Sequence, residues 1–221
     1  MEQTVEPNLP TSPLKRGRHL AIMVTMVGAI MGIVWMIGER QGFESIGTGG
    51  INAQLLPKVG DLAPELFTLY ADGQPMLLSD LKGYPVWINF WGSWCPPCRA
   101  EMPELIQAYD TLAPQGVVML AISLREDPAD AVAYAELNGA TFPVLMDPSL
   151  VTDLLDGSED PDIARIAADT RSWQINNYPT HIFIDRDGIV RAVVISPLSY
   201  ESALTYGEMI LSAATPEKSG P

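Results

Sequence analysis

The distribution of apolar and polar positions divides the chain into a short amino-terminal run and a longer alternating region. Leu20 to Gly38 gives nineteen residues without a charge. At about 1.5 Å per residue a helix over this run would cover roughly 28 Å, close to the hydrocarbon thickness of a bilayer. A buried core helix of this length would show a polar face, which the run lacks. Further along, Leu66–Tyr70 and Gln74–Leu78 flank Ala71-Asp72-Gly73, the signature of a hairpin. Pro85–Trp91 is an almost continuous apolar stretch, as expected of a strand covered on both faces. Pro97–Leu112 reads as a helix that Pro103 should disturb, and Val117–Ser123 as a second buried strand. Pro128–Leu137 is a helix closed by Asn138-Gly139, and Pro143–Met146 a short extended piece. Thr180–Asp185 and Ile189–Ile195 form a hairpin around Arg186-Asp187-Gly188, and Ser199–Ser212 a final helix. Strand–helix–strand followed by hairpin–helix implies an α/β domain with a central mixed sheet and helices on both faces.

Charge orients the amino-terminal run. Lys15, Arg16 and Arg18 precede it, whereas Glu39 and Arg40 cancel after it. The positive-inside rule assigns residues 1–19 to a cytoplasmic tail and residues 20–38 to a transmembrane anchor. Residues 39–56, with Gly47, Gly49 and Gly50, read as a flexible linker. The folded domain is expected over 57–213, and 214–221 as a disordered tail. A cleaved signal peptide is the alternative, but its apolar region is usually about 7–15 residues and no Ala-x-Ala site follows promptly. Both readings export the domain, and the retained anchor makes this a single-pass protein of the cytoplasmic membrane.

The net charge of −14 excludes a nucleic-acid partner, since phosphate binding needs clustered Lys and Arg. Asp147–Asp169 concentrates seven acids against Arg165. It reads as a solvated loop or a helical insertion, with partner docking or Ca²⁺ as minority readings. The spacing does not match the Asp-x-Asp-x-Asp-Gly calcium loop.

The chain has two cysteines, Cys95 and Cys98. They close too short a loop to staple a fold, so their value lies in chemistry. Cys-x-x-Cys at the start of a helix puts the first sulfur where the helix dipole and free N–H groups favour thiolate. Cys95 is thus the attacking thiolate and Cys98, one turn inward, the resolving thiol. Neither Pro96 nor Pro97 offers an N–H to the Cys95 sulfur, which biases the pair toward reduction. A structural zinc would need two more Cys or His ligands, and only His19 and His181 exist. A Cu(I)-binding or transfer module using Cys95, Cys98 and His181 is the rival class. The plainer reading of His181 is a strand residue that packs or hydrogen-bonds locally.

Several segments resemble a known family. Val59-Gly60-Asp61-Leu62-Ala63-Pro64 and Leu78-Ser79-Asp80-Leu81-Lys82-Gly83 resemble the opening of the redoxin branch of thioredoxin-like proteins. Asn89 through Trp94-Cys95-Pro96-Pro97-Cys98 to Pro103 is similar to the active-site segment of the TlpA/ResA-like group, and Tyr178-Pro179-Thr180-His181-Ile182-Phe183-Ile184-Asp185 to its later half. The resemblance implies a thioredoxin-like fold, a cis peptide at Pro179, and a substrate lying along that loop among Trp94, Pro96, Tyr178 and Thr180. It implies that Glu101 accepts the proton of the resolving thiol. Thioredoxin has a buried Asp where this chain has Asn89, so that proton route is absent. His181 stands where Thr is common, and Tyr178 where relatives have a smaller residue. The implied activity is reduction of disulfides in exported proteins, with electrons from a membrane redox donor, and cytochrome c maturation as one setting. No cofactor is implied beyond the Cys95–Cys98 disulfide. The redoxin branch also includes peroxidases, but the Pro-x-x-x-Thr/Ser-x-x-Cys setting of their cysteine does not surround Cys95.

Overall fold

The computed structural model describes residues 23, 25–28, 56–156 and 158–213. The chain divides into two compact units, Met1–Gly47 and Thr48–Pro221. In the first, residues 23 and 25–28 are helical and exposed. The rest of the expected anchor, the 1–19 tail, nearly all of the 39–56 linker and the 214–221 tail lie outside the described residues. Among the described residues no helix is long and apolar enough to cross a membrane.

In the second unit a hairpin of β1 (Phe67–Leu69) and β2 (Pro75–Leu77) precedes the main sheet, with Phe67 opposite Leu77. Its turn closes through the Gly73 N–H to the Tyr70 carbonyl at 2.8 Å, and Gly73 adopts φ +87. That left-handed conformation is the reason for glycine there. Both strands are shorter than their apolar pattern, and β2 ends at Leu77 because Leu78–Leu81 turns into a 3-10 helix.

The main sheet has the order β5 (Val144–Leu145), β4 (Val118–Ser123), β3 (Val86–Trp91), β6 (Thr180–Ile184), β7 (Val190–Val194). β3, β4 and β5 run parallel, β6 pairs antiparallel with β3, and β7 pairs antiparallel with β6. β3 lies at the centre with all six residues buried, which accounts for its unbroken apolar run. Its alternation sorts the core. Trp87 and Trp91 enter a cluster with Cys95, Cys98, Met102, Leu105, Ala131 and Ala203. Val86, Ile88 and Phe90 enter a second cluster with Leu66, Met76, Trp173 and Ile182. The first face is covered by α1 (Pro96–Leu112), α2 (Pro128–Leu137) and α5 (Tyr200–Ser212). α1 continues through Pro103, whose ring nitrogen has no hydrogen to donate.

The acidic stretch is a helical insertion: α3 (Pro148–Val151), a 3-10 turn Thr152–Leu154, and α4 (Pro161–Arg171). Two of its seven acids begin the helices themselves. Asp147 and Asp160 are N-caps accepting the N–H groups of Ser149 and Asp162, each at 2.9 Å, with a proline following. Asp127 begins α2 in the same way, accepting from Ala129 at 2.9 Å. The insertion is also docked. Thr170 is 2% exposed and its hydroxyl oxygen accepts the Phe67 N–H at 2.9 Å, while the Trp173 indole donates to the Glu65 carbonyl at 3.1 Å.

Candidate active site

β3 ends at Trp91 and α1 begins at Pro96, so Gly92-Ser93-Trp94-Cys95 must turn the chain from the sheet into the helix. Cys95 is the N-cap in extended conformation, and its sulfur accepts the Cys98 N–H at 3.4 Å. This is the donor that the double proline leaves at this end of the helix. Cys95 and Cys98 are joined as a disulfide, with Cα atoms 5.3 Å apart, and are 3% and 1% exposed. Pro96 is exposed.

The loop is held from outside by Glu126. Its carboxylate accepts the Ser93 N–H at 2.8 Å and the Ser123 hydroxyl at 2.6 Å on one oxygen, and the Ser93 hydroxyl on the other. Trp94 is 46% exposed and lies flat enough for its indole N–H to reach the Leu124 carbonyl at 2.9 Å. A Cβ on Gly92 would sit 2.5 Å from that indole nitrogen, so the close approach requires glycine.

The Tyr178–Pro179 peptide is cis, as the resemblance implies. Tyr178 meets Trp94 edge-on at 5.5 Å, and the Arg125 guanidinium lies 5.5 Å from the Tyr178 ring centroid. Arg125 adopts φ +60, unusual for a residue other than glycine. Its N–H is taken by Asp147 of the insertion at 3.1 Å. Burial pushes the Tyr178 phenol pKa up. The Asp147 charge adds to that shift, and Arg125 opposes it. Beside this loop is a cavity of about 460 Å³ lined by Phe90, Leu124, Arg125, Asp147, Trp173 and Tyr178. Trp94 and Tyr178 are therefore brought together at the mouth of the site, whereas Thr180 is not. It is 1% exposed and its hydroxyl donates to the Asn177 carbonyl at 2.8 Å, so its side chain supports the loop rather than facing a substrate.

On the inner side of α1, Glu101 is 3% exposed. Three residues after Cys98, it shares that residue's helix face. One carboxylate oxygen, Oε2, accepts the Leu198 N–H at 2.8 Å and lies 3.1 Å from His181 Nε2. The other, Oε1, is buried without a hydrogen-bond partner. His181 is fully buried, and its Nδ1 accepts the Trp87 indole N–H at 3.3 Å. Both ring nitrogens are therefore engaged away from the sulfurs, which leaves the copper reading without a third ligand. Among the described residues no three His, Cys, Asp or Glu side chains gather as a metal set. The partner of His181 is not local, as its sequence context suggests, but 80 residues away.

Glu126, Arg125 and Trp87 carry no sequence signal of a role here and become visible only through contacts across the fold. Gly92 stands within the Asn89–Pro103 segment, two residues before Trp94.

A mixed sheet in this order, a Cys-x-x-Cys pair capping the helix after its central strand, and a cis-proline loop beside that pair define a thioredoxin-like thiol–disulfide oxidoreductase. The chain belongs to the AhpC/TSA family, whose model matches residues 59–193. Within it the chain is a ResA-like redoxin. It is 30% identical over 152 residues to the thiol-disulfide oxidoreductase ResA of Geobacillus kaustophilus, covering 69% of this chain and 78% of the relative. To the ResA of Bacillus subtilis it is 28% identical over 156 residues, covering 71% and 78%. A thiol:disulfide interchange protein of the thioredoxin family from Chlorobium tepidum superposes with a TM-score of 0.52 at 28% identity, covering 70% of this chain and 98% of that one. A structure from the same organism described as a putative DsbE gives 0.54 at 26% identity, over the same shares.

Proposed function

We propose that this protein is a membrane-anchored, extracytoplasmic reductase of disulfides in exported proteins. The observation that carries the reading is the Cys95–Cys98 pair at the start of α1, with a buried carboxylate one turn further along whose Oε1 has no partner. In the reduced form Cys95 thiolate attacks a client disulfide. One client sulfur leaves with the electron pair of the broken S–S bond, and a mixed disulfide forms at Cys95. Glu101 Oε1 then takes the Cys98 proton, and Cys98 thiolate attacks the Cys95 sulfur. The Cys95–Cys98 bond forms as the second client sulfur leaves. The client gains two electrons and this protein loses them, to be restored by a membrane redox donor.

Direction follows from the local donors. With prolines at 96 and 97, the Cys98 N–H is the helix-end donor on the Cys95 sulfur, and weaker stabilisation of the thiolate suits a reductant. A potential near about −270 mV is expected, and one near −120 mV would instead make the protein an oxidase. The client lies along the cis-proline loop over Trp94 and Tyr178, and the cavity beside it accepts a client side chain. Residues 20–38 supply the anchor, with Lys15, Arg16 and Arg18 keeping the short tail in the cytoplasm. Reduction of haem-binding cysteines for cytochrome c maturation is a setting that suits such a donor.

The test is capture of the client. Cys98→Ala removes the resolving thiol, so clients should accumulate as mixed disulfides on Cys95 outside the membrane. Absence of any Cys95-dependent adduct under native redox conditions would overturn the reading.

A further inference from the structure

The Trp87–His181–Glu101 chain of hydrogen bonds is built entirely from buried side chains of three different elements, and the exchange mechanism above uses only its last member. A Trp indole nitrogen can only donate. Since Trp87 on β3 donates to His181 Nδ1 at 3.3 Å, Nδ1 is an acceptor and the ring carries its proton on Nε2. That proton points at Glu101 Oε2, 3.1 Å away. The same oxygen accepts the Leu198 N–H from the turn before α5 at 2.8 Å. Two donors from two elements thus converge on Oε2, and Oε1 is left buried and unpaired. The carboxylate meets His181 from β6 and the Leu198 N–H from the turn before α5, and Cys98 stands three residues earlier on its own helix. Across the strand pair Asn89 is the register partner of His181, and its buried amide is likewise without a partner.

Two N–H donors on one oxygen fix the carboxylate plane as well as its position. A carboxylate held by Leu198 alone could rotate about its Cγ–Cδ bond and exchange its oxygens. A buried side chain displaced by about 1 Å from a working geometry loses up to about 100-fold in rate. We propose that His181 is a positioning residue for disulfide exchange. Oriented by Trp87, it ties down Glu101 Oε2 so that Oε1 is the atom presented to the Cys98 thiol proton. The inference rests on the reading of Glu101 as proton acceptor and adds what selects the accepting atom. Bonds and electrons balance as in that mechanism. The proton passes from Cys98 sulfur to Oε1, the Cys95–Cys98 bond forms, and the leaving sulfur takes the electron pair.

The test is a single turnover of the reduced full chain with one equivalent of 5,5′-dithiobis(2-nitrobenzoate), which releases two thionitrobenzoate ions in sequence. The first release reports Cys95 attack and the second reports Cys98 resolution. His181→Asn keeps an acceptor where Nδ1 meets Trp87 but cannot reach Glu101, whereas His181→Gln places an amide N–H where Nε2 stood. The Asn variant is expected to slow the second phase about 10- to 100-fold with the first phase within about threefold. The Gln variant is expected to restore the second phase to within about threefold of the parent. The double variant Glu101→Gln/His181→Asn should be no slower than Glu101→Gln, because residues acting as one unit are not additive. Where His181→Asn does not fold, Trp87→Phe, which frees the ring to turn, gives the same slowing by a smaller factor. Equal second phases in the Asn and Gln variants, or a double variant slowed by the product of the two factors, overturn the role of His181. A parental second phase in Glu101→Gln overturns the reading of Glu101 itself, so the two failures are distinguishable.

Discussion

Glu126 holds the loop in front of the cysteines and Glu101 lies on the inner side of their helix, and the two carboxylates spend their oxygens in opposite ways. Glu126 sits partly open to solvent, and both its oxygens accept from Ser93 or Ser123. Glu101 is buried, doubly bonded on Oε2 and unbonded on Oε1. A buried acceptor left without a partner costs about 1–3 kcal/mol. A group whose task is to hold a turn therefore saturates itself, as Glu126 does. Glu101 instead keeps one oxygen unspent in the fold. On the proposed mechanism, structural work falls to Glu126 and proton transfer to Glu101.

The strongest way to break that contrast is Glu101→Gln. Proton transfer by a placed side chain contributes at least about 100-fold, so the second thionitrobenzoate release should fall by about that factor while the first holds. The melting temperature should move little, because Gln keeps an acceptor oxygen for His181 and Leu198. A loss of stability with an unchanged second phase would make Glu101 as structural as Glu126. Next in size is Glu126→Ala, which strands the Ser93 N–H and two hydroxyls. Urea melts should show a loss of about 1–3 kcal/mol, with the resolving phase within about threefold of the parent. A slowed resolving phase at unchanged stability would reverse the assignment.

What the sequence made legible followed from local rules. The continuous apolar run of β3, the start of α1 at the Cys-Pro-Pro-Cys pair, and the glycine turns at Gly73 and Gly188 each depend on a few adjacent residues. The cis peptide at Pro179 was accessible only through family resemblance. Glu126 was not legible, because nothing in Leu124-Arg125-Glu126-Asp127 says that Ser93, 33 residues earlier, needs its oxygens. His181 packs within its strand as its context suggests, but its hydrogen-bond partners are hidden for a related reason. An isolated His on an apolar strand offers no hint of a carboxylate 80 residues back. Two of the seven acids at 147–169 are explained by Asp-Pro helix starts, a local signal. The docking of Thr170 on Phe67 across 103 residues is not.

Gly92 sharpens the comparison from the loop side. Its replacement by Ala would bring a Cβ to 2.5 Å from the Trp94 indole nitrogen, with backbone on one side and an aromatic ring on the other. The ring must swing away and give up the Leu124 carbonyl, a loss of about 1 kcal/mol. One resonance of a fluorotryptophan-labelled sample should shift, and the melting temperature should drop by a few degrees. Glu101 and its partners lie on another face of α1, so the resolving phase should keep its parental rate once folded. A resolving phase that fell with the loop would mean that the front and inner sides of the helix are not separable.

The smallest effect concerns Tyr178, which joins the loop to the cis-proline. Burial raises its phenol pKa, the Asp147 charge adds to this, and Arg125 partly offsets it. A raised phenol pKa means that the unfolded chain loses its proton first as pH climbs past about 10. The folded state then binds more protons than the unfolded one, so stability falls with rising pH over that window and is unaffected below it. Tyr178→Phe removes the titration but also the hydroxyl's bond to the Ile175 carbonyl at 3.2 Å. It should therefore be less stable than the parent at pH 8 and close part of that gap by pH 10.5. Paired urea melts at the two pH values read the difference. A gap that stayed constant would remove the burial effect on the phenol. A gap that closed would place the titration of the loop far above neutrality.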